Sequence, residues 1–154
     1  MTPDWEQLEL DDELIEVLKA ANLNKPAKVQ QAVIPAALEG QDLLVNSPTG
    51  TGKTLAFLLP ALQHLLDFPR RHAGPARVLI LAPTRELAQQ IAEQADAFHE
   101  ATGLTTVLIT GGVNDGSQHQ LLEAPHDILV ATPRRLLDLI GAEQYALDTV
   151  EWLI

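Results

Sequence analysis

Short apolar runs alternate with longer stretches of helical periodicity from residue 42 onward, and this alternation constrains the fold of the 154-residue chain more than any other feature. The apolar runs are residues 42–46, 77–82, 105–109, 127–131 and 150–154. The first four lack polar alternation, which is typical of strands buried on both faces of a parallel sheet. Helices are predicted between them, over residues 53–66, 84–101 and 133–140. The pattern therefore predicts an α/β fold with a mainly parallel sheet flanked by helices.

Two further helices are predicted upstream of the first apolar run. Asp11 or Asp12 can cap the first of them, whose apolar residues fall on one stripe. Pro26 separates the two helices. Residues 28–38 are predicted to form the second one, with a break or kink near Pro35. We expect residues 1–40 to form a helical segment and residues 41–154 the sheet domain, together as one structural unit.

The negative charge of the chain is unevenly distributed. There are 21 acidic and 10 basic side chains, a formal net charge of −11. Seven of the acids lie in residues 1–16, which contain no base. Affinity for phosphate groups must therefore come from a few individually positioned cations and from backbone amides, because the chain as a whole has no excess of positive charge.

The composition excludes several kinds of site. The chain has no cysteine, which rules out thiolate metal sites and a cysteine nucleophile. Its five histidines lack metal-ligand spacing, and we expect them at the surface or in loops. No apolar stretch is long enough for a membrane span, and the acidic N-terminus lacks the features of a secretory signal. We therefore expect a cytoplasmic protein without a membrane partner.

A candidate phosphate-binding loop follows the first apolar run. Residues 47–54, Ser-Pro-Thr-Gly-Thr-Gly-Lys-Thr, lie between a predicted strand and a predicted helix, which is the setting of a Walker A loop. Its glycines let backbone amides turn toward an anion, while Lys53 can reach terminal phosphates and Thr54 can ligate Mg²⁺. The alternative is an ordinary glycine turn, and Ser47 stands where the motif usually begins with glycine. The pattern predicts a nucleoside triphosphate site.

Four other segments distinguish this chain from other proteins with such a loop. Pro83-Thr84-Arg85-Glu86-Leu87-Ala88 follows the second run, Thr110-Gly111-Gly112 the third and Thr132-Pro133-Arg134-Arg135 the fourth, while Asn-Leu-Asn-Lys-Pro-Ala-Lys-Val-Gln occupies residues 22–30. They resemble motif Ia, the GG motif, motif Ib (with Arg134 in place of glycine) and the Q motif of the DEAD-box ATP-dependent RNA helicases. Residues 58–70 and 109–113 are most similar to the bacterial SrmB-type branch. The resemblance implies an N-terminal RecA-like domain with a P-loop NTPase fold.

The resemblance also implies which residues bind ATP and Mg²⁺. Trp5 stands at the position of the upstream aromatic of the family, and the amide of Gln30 suits adenine. Leu23 replaces an aromatic, so stacking on adenine should be weaker. Ala27 replaces a threonine, which removes a hydroxyl that could cap the helix or bond the loop. The implied nucleotide-binding residues are Trp5, Leu23, Lys25, Gln30, Ser47, Pro48, Thr49, Gly50, Thr51, Gly52, Lys53 and Thr54; among them Lys53 and Thr54 are catalytic, and Thr54 ligates the metal.

A second implied set binds the sugar-phosphate backbone of RNA. Arg85 begins a helix directly after a strand, where it suits phosphate; the alternative is a surface arginine paired with Glu86 or Glu93. The glycine pair could equally form a simple turn at a strand end. All these segments follow the carboxyl ends of strands, where open α/β sheets bind ligands. The implied RNA-binding residues are Pro83, Thr84, Arg85, Gly111, Gly112, Thr132, Pro133 and Arg135, and binding should be independent of RNA sequence.

Some elements implied by the resemblance are not among the 154 residues. In the family, motif II (Asp-Glu-Ala-Asp) follows a strand like residues 150–154, and a second RecA-like domain closes over ATP. We therefore expect part of a longer helicase, incomplete at its C-terminus, that is inactive by itself because motif II and the second domain are absent. Its sheet should lack a central strand, which favours self-association. A binding module without turnover, or another P-loop NTPase such as a kinase or GTPase, remains an alternative function.

Overall fold

The computed structural model describes residues 4–50, 52–111 and 115–154. The chain forms two compact units, Met1–Pro69 and Arg70–Ile154. The division predicted between residues 40 and 41 falls inside the first of these units, and it stays a prediction. Two predicted site residues, Thr51 and Gly112, lie outside the described residues. No helix in the described ranges is long and apolar enough to cross a membrane.

The first unit is helical. A 3₁₀ turn at Trp5–Leu8 precedes the helices α1 (Asp12–Ala20), α2 (Lys28–Leu38) and α3 (Lys53–Asp67). Asp11 is the N-cap residue of α1, which buries Leu14, Ile15 and Leu18 on its apolar stripe. α2 contacts α3 and continues through Pro35, so of the predicted break or kink the break is wrong and the kink stays a prediction. The helices of this unit therefore form where the sequence predicts them.

Residues 42–46 are not a strand, although their apolar run predicts one. They have no regular secondary structure, and the Leu44 side chain is 101% exposed, with Leu43 and Val45 also exposed. A strand needs a neighbouring backbone to satisfy its N–H and C=O groups. No strand among the described residues pairs with this segment. The prediction of a strand here is wrong, because apolar composition alone does not supply a pairing partner.

The second unit contains a four-stranded parallel sheet. The strands are β1 (Val78–Leu81), β2 (Thr106–Ile109), β3 (Ile128–Ala131) and β4 (Trp152–Leu153), in the spatial order β2-β3-β1-β4. Val78 lies opposite Ile128 on one side and Trp152 on the other. Every residue of β3 is buried, as expected for a strand covered on both faces. The predicted α/β fold with a mainly parallel sheet is confirmed, with four of the five predicted strands.

The helices of the second unit follow the strands. They are α4 (Arg85–Asp96), α5 (His99–Thr102), α6 (Asp115–Glu123) and α7 (Pro133–Gly141). The single helix predicted over residues 84–101 is therefore two helices, α4 and α5. α4 buries Ala88, Ile91 and Ala95 and contacts β2 and β3. α6 has no counterpart among the predicted helices, since its only apolar side chains are two adjacent leucines.

A buried histidine lies at the amino end of this sheet. His126 belongs to the loop before β3, as expected of the histidines, but it is 1% exposed and therefore not at the surface. Its Nε2 hydrogen-bonds the hydroxyl of Tyr145 at 2.9 Å, and its Nδ1 lies 2.8 Å from the carbonyl oxygen of Ala124. Burial lowers the pKa of His126 and raises the pKa of Tyr145, because the charged form of each would lose solvation. Burial therefore favours the neutral form of both side chains.

Candidate functional site

The loop before α3 has the backbone geometry that its glycines predict. Gly50 and Gly52 have φ angles of +80° and +92°, in a region that residues with a Cβ rarely adopt. Gly52 is also the N-cap residue of α3, which is 15 residues long. The first N–H groups of a helix have no intrahelical acceptor and carry partial positive charge. The loop therefore leads into a set of backbone N–H groups that are suited to donate hydrogen bonds to an anion.

Lys53 and Thr54 occupy the first two positions of α3, and both are half-buried. Within the part of the chain that the structure describes, the side chain of Lys53 forms no ion pair. Upstream in the same loop, Ser47 is half-buried, whereas Pro48 and Thr49 are exposed. The first helical turn of α3 thus carries an ammonium side chain at its first position and a hydroxyl side chain at its second.

Gln30 connects the segment before α2 to this loop. Its Oε1 accepts a hydrogen bond from the backbone N–H of Ala27 at 2.7 Å, and its Nε2 donates to the carbonyl oxygen of Gly52 at 3.1 Å. The same carbonyl also accepts the N–H of Ala56 in the first bond of α3. Gln30 is only 5% exposed. An amide has two N–H donors and two acceptor lone pairs, so each end of Gln30 can form one more bond to a ligand.

The close approach of Gln30 leaves no room for a side chain at Gly52. A Cβ added to Gly52 would lie 2.5 Å from Nε2 of Gln30 and 3.5 Å from Cβ of Ala27. At Gly50, by contrast, an added Cβ would have no described atom within 4 Å. Gly52 is therefore required both by its backbone conformation and by its contact with Gln30, whereas Gly50 is required by its conformation alone.

Trp5 lies close to the Q-motif-like segment but is buried. Its indole Nε1 donates a hydrogen bond to the carbonyl oxygen of Leu23 at 2.7 Å, and its side chain is 1% exposed. The side chain of Leu23 is exposed, and Lys25 lies 3.4 Å from the carboxylate of Asp4. Trp5 is thus buried with its indole N–H bonded to the backbone, and its expected contact with the nucleotide stays a prediction. Trp5 holds the backbone at Leu23 in place.

The remaining predicted site residues lie at the carboxyl edge of the sheet in the second unit. β3 pairs with both β1 and β2, so the loop after β3 lies between the loops after β1 and β2. Backbone hydrogen bonds continue past the strands: the N–H of Ala82 donates to Ala131 at 3.0 Å, and the N–H of Thr132 to Ile109 at 3.2 Å. The predicted gathering of these segments at one edge of the sheet is confirmed.

Arg85 is exposed at the first position of α4. The hydroxyl of Thr84 accepts the backbone N–H of Leu87 at 3.2 Å and caps the helix. Pro83, Thr84 and Arg85 are all exposed. No described residue forms an ion pair with Arg85, so the alternative pairing with Glu86 or Glu93 does not occur among the described side chains.

Thr132 and Pro133 begin the last helix at the same edge. Pro133 is the first residue of α7, and Thr132 is its N-cap residue but makes no capping bond through its side chain. Proline suits this first position because its missing N–H would have no acceptor there. Arg135 is half-buried on the first turn, and its Nε donates to Oε1 of Gln118 at 3.2 Å.

Gln118 is a residue of this edge that sequence reasoning missed. It lies in α6, is 3% exposed, and donates from Nε2 to the carbonyl oxygen of Thr110 at 2.8 Å. Thr110 directly precedes Gly111, which is exposed and has no described atom within 4 Å of an added Cβ. The only signal in the sequence is a glutamine in a segment with few apolar residues, which does not indicate burial.

Comparison with known proteins places the chain in a family. Residues 27–154 match the family model described as DEAD/DEAH box helicase. The chain belongs to this family. The resemblance of its motifs to the DEAD-box helicases is therefore confirmed.

The relatives of this DEAD/DEAH box chain are longer proteins. It is 49% identical over 150 residues to the ATP-dependent RNA helicase SrmB of Haemophilus influenzae and, equally, to that of Escherichia coli. Each match covers 97% of this chain and 34% of the relative. A probable ATP-dependent RNA helicase, ddx27 of Dictyostelium discoideum, is 40% identical over 99% of this chain and 19% of its own length. The chain thus spans about a third, or less, of these relatives.

Solved structures of a helicase and of a DEAD box protein share the fold. The RNA helicase Prp28 from Chaetomium thermophilum bound to ADP has a TM-score of 0.89 at 38% identity, covering 97% of this chain and 37% of that one. A DEAD box protein from Methanococcus jannaschii has a TM-score of 0.86 at 28% identity, covering 97% of this chain and 40% of that one. The expected RecA-like fold is confirmed.

Replacing Gly52 by Ala should destabilise the chain more than replacing Gly50 by Ala. Both substitutions force a Cβ into the left-handed region, at a cost of about 1–2 kcal/mol. Gly52→Ala also displaces the amide of Gln30, with the loss of about 1 kcal/mol for a buried hydrogen bond. Urea unfolding of the two variants measures the difference in the free energy of unfolding.

The Gln30→Ala background serves as the control for this comparison. Without the Gln30 amide, the two glycine substitutions should have equal effects, because only the backbone cost remains. Equal losses in the wild-type background would contradict the contact between Gln30 and the loop.

Proposed function

We propose that this chain is the ATP- and RNA-binding part of an ATP-dependent RNA helicase, and that the complete protein uses ATP to unwind or remodel RNA. The observation that carries the proposal is the placement of Lys53, half-buried at the start of α3 behind two glycines with positive φ. The relatives at 49% identity are named ATP-dependent RNA helicases, which supports the assignment of the reaction.

The nucleotide is ATP, bound in the first unit. The loop amides and Lys53 bind the phosphates. The second N–H and the second acceptor lone pair of the Gln30 amide form hydrogen bonds to adenine. Leu23 and Lys25 lie on the exposed side of the same segment. The solved structure of Prp28 with ADP supports a nucleotide in this fold.

Mg²⁺ binds through Thr54. Among the described residues, no group of three or more histidine, cysteine or acidic side chains could hold a metal ion. Mg²⁺ commonly keeps several waters and binds through nucleotide phosphates with one or two protein ligands. The Thr54 hydroxyl at the second position of α3 fits this mode, since it stands beside the amides that face the phosphates.

RNA binds at the carboxyl edge of the sheet in the second unit. Arg85 and Arg135 supply charge, and the helix starts at Thr84 and Thr132 supply N–H donors. The exposed Gly111 permits a close approach of the RNA backbone; Pro83, Pro133 and Gly112 complete the proposed set. Such contacts hold phosphate and sugar, so we expect no preference for RNA sequence.

The complete reaction requires groups from the rest of the protein. We propose a second RecA-like domain as the partner that closes over ATP and supplies an arginine finger, which is worth about 10³–10⁵ in rate. The chain covers 34% of each SrmB relative, which leaves ample length for such a domain. By itself the chain should therefore hold ATP and RNA with little turnover.

A cytoplasmic location belongs to the same proposal, because RNA and ATP occur there.

Replacing Lys53 by Met should weaken ATP binding about 10- to 100-fold, because a hydrogen bond to a charged group is worth about 1.5–3 kcal/mol. Calorimetric titration with ATP and Mg²⁺ measures the change. Lys19→Met removes the same charge from an exposed side chain paired with Glu6 and is the control. Equal affinity of the Lys53 variant and the wild type would remove the phosphate-binding assignment.

Replacing Arg85 by Ala should weaken RNA binding to the same degree for all sequences. The slope of log affinity against log salt concentration should fall by about 0.7, the value for one phosphate contact on a single strand. Fluorescence anisotropy with three unrelated single-stranded RNAs measures both effects. Arg71→Ala, which removes an exposed arginine from the loop before β1, should leave them unchanged. A loss confined to one RNA sequence would contradict the backbone contact.

We also propose that the chain by itself associates through the exposed segment 43–45. Leu43 and Val45 line an open groove along α2 together with Val29 and Val33, and Leu44 is fully exposed beside them. Leu44→Lys should shift sedimentation toward the monomer at concentrations where the wild type associates. Leu137→Lys, at an exposed leucine of α7, is the control. A monomeric wild type at all concentrations would overturn this proposal.

A further inference from the structure

Arg134 is an exposed arginine at the carboxyl edge of the sheet, outside the proposed RNA-binding set. It is the second residue of α7, between Pro133 and the half-buried Arg135. Asp138 lies four residues on, a spacing at which a helical ion pair can form, but the two side chains do not pair. Within the described part of the chain, the Arg134 side chain forms neither a hydrogen bond nor an ion pair. Its positive charge is therefore not compensated by a neighbouring acid.

The basic side chains of this chain divide into two groups. Four of the ten form ion pairs with acidic side chains, namely Lys19 with Glu6, Lys25 with Asp4, Arg70 with Asp127 and Arg77 with Glu151. A further one, Arg135, bonds to Gln118. The side chains without a partner among the described residues are those of Lys28, Lys53, Arg71, Arg85 and Arg134.

Two of these unpartnered cations, Arg85 and Arg134, stand on the first turns of helices that begin at the same edge of the sheet. In a chain with 21 acidic and 10 basic side chains, most cations have an acid available to them. A cation left without one keeps its charge for a ligand. Arg134 therefore has the same standing as Arg85, to which a phosphate contact is already assigned.

The position of Arg134 in the helix directs its side chain toward the RNA edge. Cα–Cβ bonds in an α-helix tilt toward the amino end of the helix, so a long side chain on the first turn reaches back past the helix start. The start of α7 follows β3, whose loop lies between the loops after β1 and β2. The buried residues of α7 are Leu136 and Leu139, so Arg134 lies off the packed face.

We propose that Arg134 contacts a phosphate of the RNA backbone and adds one ionic contact to those that hold RNA at this edge. The inference rests on the proposed RNA-binding function of the edge and deepens it. A guanidinium presents a planar set of N–H donors that matches two phosphate oxygens. The motif that residues 132–135 resemble has glycine at this position, which has no side chain, so the contact is an addition made by this chain.

An ionic contact of this kind is recognised by its salt dependence. Each phosphate contact on a single strand contributes about 0.7 to the slope of log affinity against log salt concentration. By the same relation, one contact strengthens binding about eightfold at about 0.05 M salt relative to about 1 M salt. A loss of affinity that disappears at high salt therefore indicates a lost ionic contact, whereas damage to the fold would weaken binding at both salt concentrations.

The test compares Arg134→Gln, which removes the charge, with Arg134→Lys, which keeps it. Binding of fluorescein-labelled ten-nucleotide oligouridylate and oligoadenylate is followed by anisotropy over a series of salt concentrations. Arg134→Gln should weaken binding of both RNAs about eightfold at about 0.05 M salt, with a slope lower by about 0.7. Arg134→Lys should keep the wild-type slope, because an ammonium group also binds phosphate as a point charge.

The matched control is Arg71→Gln. Arg71 is also exposed and without a partner among the described side chains, but it lies in the loop before β1 and not after a strand. The substitution removes the same unit of charge, so it measures the effect of net charge alone and should leave RNA affinity nearly unchanged. Urea unfolding shows whether each variant folds, and Arg134→Ala carries the same test if Arg134→Gln does not. ATP affinity should be the same in all variants.

The outcomes separate this inference from the function on which it rests. If the wild type binds neither RNA, the proposed RNA function fails and the inference fails with it. If the wild type binds and Arg85→Ala lowers the slope, but Arg134→Gln behaves as Arg71→Gln does, the inference alone is overturned. A slope of Arg134→Lys as low as that of Arg134→Gln would also overturn it, because the positive charge would then not be what binds. A loss confined to one of the two RNAs would contradict a phosphate contact.

Discussion

The parallel pairing of β3 with both β1 and β2 is the constraint on which the second unit depends. Parallel strands all end at the same edge, so three loops distant in sequence are brought together by backbone pairing alone. Helices α4 and α7 then begin at that edge, where the first backbone N–H groups have no acceptor within their own helix. The grouping of Arg85, Thr132 and Arg135 is therefore a consequence of the sheet and requires no basic surface around the two arginines.

In the first unit, the corresponding constraint is a single glutamine. Gln30 bonds the N-cap residue of α3 from the start of α2, so the turn of the phosphate-binding loop is held by the segment proposed to read the base. The proposed recognition of adenine and the observed shape of the phosphate-binding loop thus depend on one side chain. Because Gln30 is buried and bonded at both ends, its orientation is fixed before any ligand arrives.

Most of this architecture could be predicted from local pattern. The helix α2 begins and ends where predicted, and four apolar runs became strands because each had a parallel neighbour. The run at residues 42–46 has the same composition but no partner, which local sequence does not reveal. α6 and its buried Gln118 were missed for a related reason, since their burial depends on contacts with β2 and with Arg135. Likewise, the burial of Trp5 and His126 is decided by their hydrogen-bond partners, Leu23 and Tyr145.

The order of the strands also determines the distance that the loops after them span. Neighbouring strands lie about 4.8 Å apart, so the loops after β1, β3 and β2 together span about 10 Å. A nucleic-acid strand advances about 3.4 Å for each phosphate along a helical axis. The edge is therefore about as wide as three successive nucleotides, so the RNA site proposed there requires only a brief unpaired stretch inside a folded RNA.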